Sequence, residues 1–178
     1  MLEGIIRESV SKAAAKALRK DGYLSANIYG KGQPNIQCAF KVNDFIRSLK
    51  AKDHVIFPVK VGGKELRVVV QEYQRDPVTN AILHVDLMLA QHGIEARYSV
   101  PMEFSGTPKG LKDKGALMIS KKRIRVKCTP EKLPTHFALN IAPLGVGDSL
   151  LVRDIAPVDG VRILDRADVA VVGVVKSR

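Results

Sequence analysis

The sequence predicts a mainly β protein with a few short helices, in which an N-terminal antiparallel β-barrel over residues 1–91 is followed by a C-terminal all-β domain over residues 94–178. Three observations carry this reading. Apolar residues alternate with polar ones in short runs, which places them on one face of a strand. Clusters of Gly, Pro, Asn and Asp separate the runs as turn residues do. Helical signals lie only ahead of His54.

Taken in order, Ser11 supplies a cap for a helix over 12–20, because Ala, Lys, Leu and Arg are strong helix formers and Gly22 stops it. Strand patterns flank this helix. Residues 25–29 run into the turn Gly30-Lys31-Gly32-Gln33-Pro34, and residues 35–40 return. A second short helix starts near Asn43 or Asp44 and carries Phe45, Ile46 and Leu49 inward, with Arg47 and Lys50 outward. Val55, Phe57, Val59 and Val61 then share one strand face, and Gly62-Gly63 has the chemistry of a two-residue hairpin turn into the strand over 64–73. Turn residues occupy 75–80. In the next strand, over 81–89, Val85, Leu87 and Leu89 face one way and His84, Asp86 and Met88 the other.

Gln91-His92-Gly93 reads as the seam between the domains. Beyond it Tyr98, Val100, Met102 and Phe104 alternate with polar neighbours, and residues 105–115 read as an exposed loop rich in Gly, Pro and Lys. Further strands are expected over 116–120, 123–128, 137–140, 149–152, 161–164 and 169–175.

The chain of 178 residues carries 29 Lys or Arg against 18 Asp or Glu, a formal net charge of +11, and both halves are basic. With 46% hydrophobic residues it can build cores, which excludes a disordered basic tail. The longest apolar run spans 169–175, too short for a transmembrane helix, and Glu3 and Glu8 flank a start that lacks the features of a signal peptide, so a cytoplasmic protein is expected. Cys38 and Cys128 stand far apart and read as small buried hydrophobes.

An enzyme needs convergent reactive groups, and this sequence offers few. Gly30-Lys31-Gly32 lacks the full spacing of a phosphate loop and reads as a turn. His84 and Asp86 share a strand face at a spacing that suits a metal or an acid–base pair, but no further His or carboxylate nearby completes a ligand set. No catalytic residue, metal, cofactor or small-molecule substrate is therefore assigned. Nucleic-acid binding fits better. Lys12, Lys16 and Arg19 or Lys20 recur at helical spacing on one face, and Arg123, Arg125 and Lys127 line one face of a strand. Residues 109–132 hold nine basic residues against Asp113 and Glu131. A solvated charged face gives the same pattern in each case. Aromatic residues make up only 5% and no stacking platform is visible, so a folded or double-stranded RNA bound through phosphates, 2′-hydroxyls and base edges is the better match.

Particular residues sharpen this. Arg7 and Lys12, Leu18-Arg19, Ala26-Asn27-Ile28-Tyr29-Gly30, and above all Gln71-Glu72-Tyr73-Gln74-Arg75-Asp76-Pro77 with His84-Val85-Asp86 resemble the 5S-rRNA-binding bacterial large-subunit ribosomal proteins of the general stress protein Ctc family. Val100-Pro101-Met102-Glu103-Phe104-Ser105-Gly106, Arg125-Val126-Lys127-Cys128-Thr129-Pro130 with Pro134, and Gly147-Asp148-Ser149-Leu150 are similar to that family's two-domain form, so the resemblance covers nearly the whole chain. It implies a non-catalytic constituent of the large ribosomal subunit in the cytoplasm. The N-terminal barrel would bind the loop E region of 5S rRNA in a widened minor groove, with neighbouring 23S rRNA and ribosomal proteins as further partners and no membrane contact. A stress role is suggested by the family's name alone. Position by position, Arg7, Lys12, Lys16 and Arg19 would hold phosphates, while Tyr29, Gln71, Gln74, Arg75, His84 and Asp86 would read groove edges and backbone. The chain departs from the family at Lys16-Ala17, where paired arginines are common, and a lysine presents a point charge instead of a planar fork. The alternative is an adaptor whose basic β domain grips an acidic protein partner.

Overall fold

Short, alternating strands cannot bury a face alone, and here they gather into one closed barrel and two small sheets. The computed structural model describes residues 2–7, 11–51 and 54–176, apart from the side chains of Lys12 and Ala51. The chain divides into two compact units, residues 1–94 and 95–178.

The first unit runs β1 (Leu2–Ile6), α1 (Lys12–Lys20), β2 (Tyr23–Gly30), β3 (Gln33–Lys41), α2 (Val42–Ala51), β4 (Ile56–Val61), β5 (Lys64–Arg75) and β6 (Ile82–Leu89). Ser11 caps α1 as expected: its Oγ accepts from the Ala14 N–H at 3.2 Å, and Gly22 turns the chain at φ 77°. Gly62 and Gly63, both at positive φ, make the hairpin between β4 and β5, where a primed turn matches strand twist.

The six strands close in the order β1-β3-β2-β6-β5-β4. Four seams are antiparallel. The other two, β1 with β4 and β2 with β6, are parallel and join segments far apart in the chain. Inward-facing Leu24, Ile28, Phe40, Val59, Val85 and Leu87 are fully or almost fully buried in the interior. Phe45 of α2 is buried as well, and its ring stacks on Phe40 with centroids 6.4 Å apart. An aromatic side chain removed from water in this way contributes roughly 1.5–3 kcal/mol. Gly4 makes room for the Phe40 ring, because a Cβ at that position would collide with it.

The second unit contains β7 (Ala96–Ser105), β8 (Gly115–Ile119), β9 (Arg123–Cys128), β10 (Phe137–Asn140), β11 (Ser149–Leu151), β12 (Arg162–Ile163) and β13 (Ala170–Lys176). They form a sheet ordered β10-β7-β9-β12 and another ordered β11-β13-β8. Tyr98, Val100, Ile124 and Val126 are buried on the first sheet, and Val172 and Val174 of the second pack with Ile141 and Leu144.

Two expectations change here. The segment 105–115 is more than an exposed loop, since Pro108 and Gly110 are buried, Gly110 N–H donates to Leu144 O at 2.9 Å, and a side chain at 110 would strike the Val146 backbone. The strand expected over 149–152 ends at Leu151, because Asp154 accepts from the Leu151 N–H at 2.7 Å and turns the chain into a short 3₁₀ segment.

Candidate nucleic-acid interface

The parallel seam between β2 and β6 sets Ser25 opposite His84, Asn27 opposite Asp86 and Tyr29 opposite Met88. On the other side of β6, Gln74 lies opposite His84 and Glu72 opposite Asp86. Cross-strand partners share a face, and their neighbours Ala26, Ile28, Val85 and Leu87 fill the interior, so these residues point to the outer side of the barrel wall, where Ser25 is buried and the others are exposed or half-buried. Gln37 of β3 pairs with Asn27 and extends one row to Gln37, Asn27, Asp86 and Glu72 across four strands. Ser25, His84 and Gln74 form the row beside it. The Arg7 N–H donates to Gln37 O at 2.9 Å, which places Arg7 at the far end of the first row.

This face combines the Asn27, Gln37 and Gln74 amides with the carboxylates of Asp86 and Glu72. His84 Nδ1 lies 3.7 Å from Asp86 Oδ1, beyond hydrogen-bond length, with both side chains partly exposed. Burial first, and then the carboxylates of Asp86 and Glu72, push the Tyr29 hydroxyl above its ordinary value, so it stays a hydrogen-bond donor. Glu72 and Asp86 are like charges on directly opposite positions, an arrangement that costs stability unless a donor group is brought to them. Base amino groups and 2′-hydroxyls are such donors.

Gln71, Arg75 and the helix lie apart from these rows. Gln71 is the extra residue of a bulge between Val70 and Glu72, exposed and outside the ladder register. A second irregularity precedes Arg75, whose guanidinium sits 4.9 Å over the Tyr73 ring. Asp76 then holds the β5–β6 turn: its Oδ1 accepts from Val78 and Thr79 N–H groups, Thr79 foremost, and these bonds keep its carboxyl below the usual range. Arg75 and Arg19 both line a groove of about 510 Å³ floored by Tyr23, Val42, Ile46 and Ile82. Lys16 is exposed on α1, whereas Lys12 begins the helix with its side chain outside the described residues. Of the residues singled out from sequence, the structure thus gathers Tyr29, Gln74, His84 and Asp86 on one face and sets Arg19 and Arg75 about one groove. Glu72, Asn27 and Gln37 belong to the same face and escaped the sequence reading. Two-residue spacing from Gln74 and Tyr29 was the signal for the first two.

In the second unit some of the dense cations are engaged in ion pairs. Arg123, Arg125 and Lys127 do project from the exposed face of β9. Yet Arg125 grips Asp165 through Nε and Nη2 at 3.1 and 2.9 Å, Lys121 reaches the same carboxylate at 3.0 Å, and Lys127 pairs with Glu95 at 2.7 Å. The Asp165 side chain is only 2% exposed. Burial pushes its carboxyl up, but the hydrogen bonds from Arg125 and Lys121 outweigh that and hold it below the ordinary value. Among the described residues no cluster of His, Cys, Asp and Glu is suited to a metal ion.

Residues 2–87 match the model of the ribosomal L25p family, and residues 95–178 match the C-terminal domain of ribosomal protein TL5. The chain belongs to the ribosomal L25p family. Large ribosomal subunit protein bL25 of Helicobacter hepaticus is 61% identical to it, that of Wolinella succinogenes 60% and that of Helicobacter pylori strain J99 58%, each over the full length of both chains. Membership in the L25p family places the chain among non-enzymatic ribosomal proteins, in the two-domain form that the sequence resembles.

Proposed function

We propose that this L25p-family protein binds the loop E region of 5S rRNA through the outer face of its barrel, as a structural constituent of the large ribosomal subunit in the cytoplasm. The observation that carries the proposal is the face itself: Tyr29, Gln74, His84 and Asp86 come from three strands and converge beside Asn27 and Glu72. Naming of the relatives as large ribosomal subunit proteins supports the subunit assignment. Carboxylate acceptors beside the Asn27, Gln37 and Gln74 amides, which both donate and accept, and the Tyr29 hydroxyl suit base edges and 2′-hydroxyls in a shallow groove, while Arg7, Lys12, Lys16 and Arg19 would supply phosphate contacts from the flanks. The carboxylates repel phosphates, so they serve discrimination, and the cations serve affinity.

A gel-shift titration of the full chain against 5S rRNA and against a plain RNA duplex of equal length tests this. Preference for 5S rRNA is expected, and His84→Ala should lose it with little change in salt dependence. Equal affinity of the unaltered chain for both RNAs would falsify the proposal.

A further inference from the structure

Strand β8 departs from the pattern of every core strand. It is the terminal strand of the order β11-β13-β8, with β13 on one side and no strand among the described residues on the other. Its residues Ala116, Leu117, Met118 and Ile119 are all exposed, with Met118 at 56%. Register explains why both faces are open. Leu117 lies opposite Val174 and Ile119 opposite Val172, so they continue the buried face of β13 but stand at its rim. Met118 lies opposite Gly173 and shares the other face with Ala116 and half-exposed Val175. An uncharged apolar edge with unpaired backbone groups is a template for another strand, and proteins ordinarily blunt such edges with charge or proline. Here the charges stand at its ends instead: Lys112 and Lys114 precede it, Lys121 and Lys122 follow, and Asp113 is the one acidic residue between Lys109 and Lys127. Lys121 is engaged by Asp165, while Lys112, Lys114 and Lys122 have no carboxylate partner among the described residues.

We propose that the β8 edge is a docking site for an extended, acid-flanked apolar segment of a protein partner, which adds a strand beside residues 115–119. Alternate apolar side chains of that segment would extend the face shared by Val172, Val174, Leu117 and Ile119, and carboxylates at its ends would meet Lys112, Lys114 and Lys122. A second copy of this chain is disfavoured, because antiparallel pairing of two β8 edges brings the lysines of one against those of the other. RNA would satisfy the cations and leave Leu117, Met118 and Ile119 exposed to water.

The test is fluorescence anisotropy of the full chain with a labelled synthetic peptide that carries valine at three alternate positions and two aspartates at each end. Saturable binding is expected, weakened about tenfold or more, a loss of about 1.4 kcal/mol, when the aspartates become lysines, when the central valine becomes proline, or when the protein carries Met118→Asp. Circular dichroism checks that this variant is folded. Should it unfold, Lys114→Glu with Lys122→Glu, both at exposed positions, replaces it and must show the same loss. Absence of saturable binding overturns the proposal, as does equal binding of the lysine-flanked peptide. It is also overturned if the substitutions abolish a dimer seen in sedimentation, or weaken RNA binding while sparing the peptide.

Discussion

Asp86 and Glu72 carry, at the scale of single residues, a cost in stability that the proposed binding role would explain: they are like charges on directly opposite positions. Their side chains share one cross-strand position, so Glu72→Gln should relieve repulsion and raise stability by roughly 0.2–1 kcal/mol, measured by urea unfolding, while lowering the preference for 5S rRNA. A variant that loses stability would contradict the reading. Asp165 behaves in the opposite sense. Its carboxyl is held below the ordinary value in the folded state, so its contribution is present above the unfolded value of about 3.9 and lost as pH falls through the lower folded one. Asp165→Asn leaves Arg125 and Lys121 without their shared partner and should cost roughly 1–3 kcal/mol at neutral pH, an effect that shrinks toward acid pH. A loss independent of pH would place the cause elsewhere. Cys38 and Cys128 are buried, and burial pushes their thiols up to about 12 and about 11, so both should resist alkylation in native buffer and react once urea exposes them.

At the scale of elements, helix α1 and the β4–β5 hairpin carry separable predictions. Lys16 is exposed, and Lys16→Ala should weaken RNA binding and flatten the salt dependence by about one unit if it meets a phosphate. Gly63 has φ 77° with open space around its missing Cβ, so Gly63→Ala measures backbone strain alone and should cost about 1 kcal/mol. Gly62→Ala should cost more, because the new methyl also meets the Ile6 side chain. These features were legible in the sequence because their causes are local: a cap three residues from the N–H it satisfies, a glycine pair between alternating runs, a period of two. The parallel seams were not, since nothing in residues 25–29 announces residues 84–88 as their neighbours. Nor, for the same reason, was the pairing of Glu72 with Asp86. The place of Glu72 opposite Asp86 depends on the bulge at Gln71, which shifts the register by one residue. The row of Arg123, Arg125 and Lys127 was legible as a row, but the pairing of Arg125 with Asp165 was hidden by sequence distance, as was that of Lys127 with Glu95.

Across the whole molecule, the densest charge and the proposed recognition face lie in different units. The formal +11 is shared by both units, yet part of the densest basic stretch is tied up in internal ion pairs, and the polar face on the barrel includes carboxylates. The closure of the barrel also sets a timetable. Strand β1 finds its parallel partner only when β4 exists, and β2 only when β6 does, so loops spanning most of the unit must close before the interior is sealed. During synthesis from the N-terminus, Tyr29 emerges long before Asp86. The face that joins them is therefore absent from every unfinished barrel, so on the function proposed above an incomplete chain would have cations for phosphate but not the face that would tell one RNA from another.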